Sequence, residues 1–236
     1  MEYTIKVLNL KRRVDRKEAF IDHHVKLGYD PSMFNFHYGH DAADYKTTAD
    51  IVKAMNEKYP IGEIIHFRKG DYGCFWSLSD LVESIAHNKS ESEYVLYSLD
   101  DSYLTIDPDR LNNIFDYFYN KDKDFCYLKL YWSCEKPAPK TYQVEGFNFC
   151  DGLYGYGDRA ILLNKRSAGL ILHESLRQKV FIEHICNDWQ APSQQGFYTN
   201  ADVTRESTSR VLYHGEGLSC PYNPWAEQDR VKLNEE

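Results

Sequence analysis

Chemistry in this chain is concentrated first at Leu99-Asp100-Asp101. Two adjacent carboxylates repel each other and lose solvation together, so their setting must supply a cation or strong hydrogen bonds. They close the run Tyr94-Val95-Leu96-Tyr97-Ser98-Leu99, which reads as a strand buried on both faces of a parallel sheet. In open α/β sheets, ligands bind outside the carboxyl ends of the strands. A hard divalent ion held by one or two carboxylates plus phosphate oxygens would offset the repulsion there. On these residues alone, a pair of acids opening a solvated loop fits equally well. A second cluster, Lys11-Arg12-Arg13-Val14-Asp15-Arg16, follows the apolar run Tyr3–Leu10. Basic side chains and free N–H groups at a strand-to-helix turn suit a diphosphate, although the same run could simply be a solvated helix start. Brought to one sheet edge, the two clusters describe a site for a nucleoside diphosphate.

A general base is less sharply marked. Glu183, in Val180-Phe181-Ile182-Glu183-His184, is a carboxylate in an apolar run that would raise its pKa, and Asp188 is its rival. Asp202, Glu206 and His214 are further candidates for acceptor or metal contacts. His37-x-x-His40 has the spacing of a metal pair but sits in a strand-and-loop segment with no third ligand near it in sequence.

The elements that must position these groups follow from periodicity. Tyr3–Leu10 is a strand. Ala19, Phe20, His23, His24 and Leu27 then share one helix face, and Gly28 is a natural stop. Thr47 to Pro60 holds a short second helix. A longer one starts near Tyr72, carries Cys74, Leu78, Leu81, Val82 and Ile85 on its apolar stripe, and ends at Asn88. Asp107-Pro108 opens another, with Asp as N-cap and Pro at the first helical position. Phe125–Trp132 and Arg159–Leu163 read as strands, the latter leading into a helix through Ala168, Leu170, Ile171 and Leu172. Residues 133–152 read as irregular, and periodicity fades from about 190 onward. Strand and helix alternate without repeat or linker, which predicts a single α/β domain over 1–236.

Composition removes several function classes. The 28 Lys+Arg against 36 Asp+Glu give a charge of −8, which argues against a nucleic-acid partner, because neutralising phosphates needs surplus basic residues. No apolar run is long enough to span a bilayer, and Met1-Glu2-Tyr3-Thr4 lacks the layout of a secretory signal. The six cysteines show no zinc spacing and read as free thiols, so the expected location is the cytoplasm. Aromatic content is high at 15%, with 19 Tyr, more ring surface than a core requires.

Several segments together resemble glycosyltransferase family 25, which includes lipooligosaccharide and collagen galactosyltransferases. Val7-Leu8-Asn9-Leu10-Lys11-Arg12-Arg13-Val14-Asp15-Arg16 resembles that family's "INLxRRxDR" opening. Phe36–Ala42 is similar to its "F-x-A-x-D-G" segment, with Asp41 at the acidic position. Gly70-Asp71-Tyr72-Gly73-Cys74-Phe75-Trp76-Ser77-Leu78 resembles "GEIGCxxSH", and Tyr94–Ser102 resembles "ALVLEDDV", with Asp100 and Asp101 on its two aspartates. Tyr154–Leu172 resembles "AYxxSRxGAxKLL", and Ile182-Glu183-His184 is similar to "vDhxl". Order and spacing hold over roughly residues 3–190.

The resemblance implies a GT-A-type fold, a Rossmann-like mixed sheet flanked by helices. It also implies a nucleotide-sugar donor, UDP-linked by expectation, and inverting transfer to a hydroxyl of a glycan or other acceptor. A nucleotide-sugar-binding half (1–105) and an acceptor-binding half (106–236) are expected. By carry-over, Asp100 and Asp101 would hold Mn²⁺ or Mg²⁺ and the donor diphosphate, and Asn9, Arg12, Arg13 and Arg16 would face the nucleotide. Asp41 would contact its base or ribose, and Glu183 or Asp188 would activate the acceptor. Tyr131, Trp132, Tyr154 and Tyr156 would stack on an acceptor sugar. Two positions depart from the pattern: Leu99 replaces the Glu of "EDD", and Leu78 replaces a His. The alternatives are a catalytically weakened carbohydrate-binding protein on a transferase fold, or another metal-dependent, nucleotide-using α/β enzyme.

Overall fold

The computed structural model describes residues 1–62, 67–87, 92–123, 125, 127–130, 141–151 and 160–182, together with the backbone of 197–200 and 219–220. Chain order is β1 (Tyr3–Asn9), α1 (Val14–Lys26), β2 (Phe34–Tyr38), α2 (Thr48–Asn56), α3 (Lys69–His87), β3 (Tyr94–Leu99) and β4 (Tyr103–Leu104). It continues with α4 (Pro108–Lys121), β5 (Tyr127–Lys129), β6 (Thr141–Val144), β7 (Phe147–Asp151), β8 (Ala160–Asn164), α5 (Lys165–Gln178), β9 (Phe197–Asn200) and β10 (Ser219–Cys220). Among the described residues, eight strands form one mixed sheet in the order β2-β1-β3-β8-β5-β9-β7-β6. β1 runs parallel to both β2 and β3, and β8 runs antiparallel to both β3 and β5. The expected mixed α/β sheet flanked by helices is the observed architecture.

The sheet is buried on both sides because its strands alternate with period two between two apolar layers. Ile5, Val7, Leu96 and Leu162 pack with Phe20 of α1 and with Leu111, Ile114, Phe115 and Phe118 of α4. Leu8, Val95, Tyr97, Ile161 and Leu163 face the other way, onto α2, α3 and α5. Lys6 shares that second face and, though buried, reaches Ser84 Oγ on α3 at 3.0 Å.

Helix ends carry the signals read from sequence. After α1, Gly28 (φ +96) donates to Val25 O at 3.0 Å and Tyr29 donates to His24 O at 3.0 Å, a Schellman closure that needs a left-handed residue at Gly28. Thr47 and Asp50 form a capping box on α2, and Asp107 caps α4 by accepting from Arg110 N at 2.9 Å.

Three expectations need correction. The 133–152 stretch is not irregular throughout, because β6 and β7 form a hairpin closed by Glu145-Gly146, both at positive φ. Such two-residue turns match strand twist, and Glu-Gly is a weaker signal for one than Asn-Gly. The late region contributes β9, which lies between β5 and β7. Cys74 is exposed rather than on the apolar stripe of α3, and Phe75 takes the buried position beside it.

Candidate functional site

β1 lies between β2 and β3. The chain crosses from β1 to β2 by α1 on one face and from β2 to β3 by α2 and α3 on the other. That reversal opens a crevice at the carboxyl ends of β1 and β3. Two main-chain bonds extend the strands into it: Asp100 N to Leu8 O at 3.0 Å and Gly39 N to Asn9 O at 2.9 Å. A cavity of about 180 Å³ occupies the crevice, lined by Leu8, Asn9, Leu10, Arg16, His40, Asp41, Ala42, Gly70, Cys74, Ser77, Leu99, Asp100 and Asp101.

Its charged floor centres on Asp100, which is buried. One carboxylate oxygen accepts from Asn9 Nδ2 at 2.8 Å and the other from Arg16 Nη1 at 3.1 Å. Asn9 Nδ2 also donates to Arg13 O at 3.2 Å, which ties the α1 start to the strand ends. Burial, helped by the neighbouring Asp101, pushes the Asp100 carboxyl up to about 6 against the pull of Arg16 and Asn9.

The four expected donor-facing residues separate. Asn9 and Arg16 line the cavity. Arg13 is turned instead to Asp15, with bonds of 2.9 and 2.7 Å, and Arg12 pairs with Asp41. Asp41 itself lines the cavity but also caps a short turn, accepting from Ala43 N at 2.9 Å. Glu183, Asp188, Tyr131, Trp132, Tyr154 and Tyr156, with Asp202, Glu206 and His214, lie outside the described residues. The residues just before Glu183 are anchored, for Phe181 and Ile182 are buried and Phe181 stacks on Phe75 of α3 at 4.5 Å between ring centres.

A third wall is the loop Gly39–Ala42 against α3, where the sequence marked Asp41 for the site and His40 only as half of a metal pair, and missed the contact with Ser77. A Cβ on Gly39 would stand 2.5 Å from Ser77 Oγ and 2.7 Å from its Cβ, so only glycine allows this approach. Ser77 Oγ accepts from His40 N at 2.7 Å and donates to Gly73 O at 2.6 Å. The His40 ring lies flat on Trp76, 3.7 Å between centres and 15° between planes, and its Nε2 bonds Asp80 Oδ2 at 2.7 Å. Asp80 Oδ1 accepts in turn from Lys58 Nζ at 2.8 Å and Tyr59 OH at 2.7 Å. Although burial opposes it, the bonds from His40, Lys58 and Tyr59 hold the Asp80 carboxyl well below the usual range. The signal that could have found this wall was Gly39 beside a histidine, together with the Gly73 and Ser77 spacing on α3.

Among the described residues, no group of three or more His, Cys, Asp and Glu could hold a metal ion. Asp100 and Asp101 both line the cavity, and each Asp100 oxygen already accepts one bond, from Asn9 or Arg16. A hard divalent ion needs only one or two carboxylates when phosphate oxygens complete its shell. Asp101 with a bound diphosphate meets that minimum. No helix among the described residues is long and apolar enough to cross a membrane.

No protein-family model matches the chain, and no curated protein matches it in sequence, so membership of glycosyltransferase family 25 is not shown. Among solved structures, it is similar to a glycosyltransferase involved in glycosylation of the major capsid of PBCV-1, with 11% identity over 97% of this chain and 99% of that one and a TM-score of 0.47. It is also similar to mouse xyloside xylosyltransferase 1 in its apo form, with 14% identity, 84% coverage of each chain and a TM-score of 0.45. A third likeness is to 4-diphosphocytidyl-2C-methyl-D-erythritol synthase from Anaerococcus prevotii, with 11% identity over 84% of this chain and 88% of that one and a TM-score of 0.39. Likenesses this distant carry no functional weight.

Proposed function

We propose that the chain is a GT-A-type glycosyltransferase that moves a hexosyl group from a UDP-linked donor to a hydroxyl of a glycan or other acceptor. The observation that supports it is the crowding of Asp100, Asp101, Asn9 and Arg16 around one cavity at the switch point of the sheet. The sequence resemblance places the same residues in donor binding. Asp100, itself held by Asn9, holds Arg16 at the cavity edge, where its guanidinium faces the donor phosphates. Asp101, with those phosphates, would hold Mn²⁺ or Mg²⁺, which when bound would neutralise charge on the leaving diphosphate. In the transfer step the acceptor oxygen forms a bond to the anomeric carbon as the bond to the β-phosphate oxygen breaks. Glu183 or Asp188 takes the acceptor proton, and the anomeric configuration inverts.

Thermal denaturation with UDP-, GDP- and dTDP-sugars, with and without Mn²⁺, tests this reading. Stabilisation by one donor, larger with the ion, is the expected result, since a ligand bound only to the folded state raises the melting temperature. No shift with any donor would remove the proposal.

One observation favours a second reading, a carbohydrate-binding protein with weakened or absent transfer. Leu99 stands where the motif of the resembled family has a further carboxylate, and Asp100 already accepts from protein groups. Donor binding without turnover would select it.

A further inference from the structure

His40 is a histidine whose position is fixed from every side except one. Its backbone N–H is held by Ser77, and its carbonyl lies where a Cβ on Gly73 would approach to 3.1 Å, so the loop packs directly on α3. Its ring face is covered by Trp76, itself packed on the α3 core. The Trp76 indole N–H is buried with no acceptor among the described residues, a cost the stack must outweigh. At the ring edge, Nε2 meets Asp80, whose carboxylate is kept ionised by Lys58 and Tyr59. With Asp80 accepting at Nε2, the ring tautomer that carries its proton on Nε2 presents Nδ1 as a lone-pair acceptor. Nδ1 meets no partner among the described residues, and the side chain keeps 30% of its surface exposed where it lines the cavity.

The other polar groups nearby are engaged. Each oxygen of Asp41 accepts a bond, from Arg12 or from Ala43 N, and Ser77 Oγ bonds His40 and Gly73. The cavity thus has two chemically distinct ends. At the end of β3 are the charges of Asp100, Asp101 and Arg16, suited to phosphates and their counter-ion. Across β1, beyond the end of β2, an oriented acceptor sits on an aromatic support. A ligand spanning both would carry its phosphates at the first end and a planar, uncharged group with an N–H at the second.

We propose that His40, oriented by Asp80 and Trp76, reads the nucleobase of the donor by accepting its ring N–H at Nδ1. This rests on the nucleotide-sugar reading above and sharpens it to bases that carry a ring N–H. Uracil, thymine and guanine offer that donor. Cytosine and adenine present a lone pair at the corresponding ring nitrogen, which would face the lone pair of Nδ1. A site built to bond one group rejects the analogue that lacks it, because its own polar atom is then left unpaired.

The test is calorimetric titration of UDP, CDP and pyrophosphate, each with Mn²⁺, into the wild-type chain and its His40→Phe and His40→Ala variants. His40→Phe keeps a ring on Trp76 and removes both nitrogens, so it separates recognition from packing. In the wild type, UDP should bind about tenfold more tightly than CDP. In His40→Phe that preference should fall to within about twofold, with pyrophosphate affinity unchanged. N3-methyl-UDP should lose about tenfold against UDP in the wild type and nothing in the variant. A preference for UDP that survives in both variants, or CDP binding as well as UDP in the wild type, would overturn the assignment while leaving the transferase reading intact. Equal losses for UDP and pyrophosphate in His40→Phe would show a packing role only and also overturn it. Failure of the wild type to bind any of the three would sink both readings.

Discussion

His24 and His40 lie on opposite sides of the sheet and have opposite fates. On the α1 side, His24 is wholly buried and both ring nitrogens are satisfied by the main chain, Nδ1 with Phe20 O at 2.7 Å and Nε2 with Leu104 N at 3.1 Å. Burial pushes its imidazole down to about 4, so it stays neutral. On the α3 side, His40 has one nitrogen on a carboxylate, and its ring lines the cavity. The carboxylates show the same contrast. Asp80 gathers three donors and is held low, while Asp100 shares a buried floor with Asp101 and is pushed up. A polar group whose bonds are complete is framework. One set into a cavity wall with its acidity shifted marks where a ligand can bind.

The largest effect is expected at the charged floor of the cavity. Asp101→Ala should lower sugar transfer by at least about a hundredfold, as loss of an electrostatic contact to the reacting group does. Its melting temperature should hold or rise, because the repulsion on Asp100 is relieved, and a steady-state assay beside a thermal melt checks both. Wild-type-like turnover would break the comparison. At the complete set the pattern should reverse. His24→Ala should cost about 3 kcal/mol in denaturant unfolding, from a cavity and an unpaired Leu104 N–H, while UDP affinity of the folded protein stays unchanged.

Acidity sharpens the same point with a smaller effect. Since the folded pKa of His24 is depressed, the unfolded chain takes up its proton first as pH falls. The stability that neutral His24 contributes is complete above about 6.5 and is lost toward about 4, with a slope of up to about 1.4 kcal/mol per pH unit. His24→Ala should lose that slope, as unfolding curves at pH 4.5 and 7 would reveal. The smallest change is at the loop. Gly39→Ala should cost about 1–3 kcal/mol through the clash with Ser77 and weaken UDP binding more than pyrophosphate binding. Equal weakening of both ligands would argue that the loop carries no base-reading element.

Local signals made much of the frame legible. The apolar runs of β1 and β3, the Asp107-Pro108 start of α4 and the Gly28 stop of α1 each act within a few residues, and each stands where the pattern put it. Partners distant in sequence were not legible. β9 enters the sheet by pairing with β5 and β7, and Glu145-Gly146 forms its turn because β6 and β7 meet. In the site, Asp100 and Asp101 could be found by type and position. Nothing in Lys11–Arg16 distinguished Arg16, which turns to Asp100, from Arg13, which turns to Asp15. The histidine wall was hidden for the same reason, because His40 is set by Ser77 and Asp80 on a helix that follows far along the chain.

The pairing of β1 with β3 also has a consequence for synthesis. Asn9 and Asp100, which bond each other beneath the cavity, are 91 residues apart in the chain. On the ribosome, the first strand can meet β2 early but leaves the exit tunnel with β3 still unmade, and parallel pairing at such separation is closed late. The cavity therefore cannot exist in a short nascent chain. Anything that binds in it selects chains that have already brought their two ends of β-structure together.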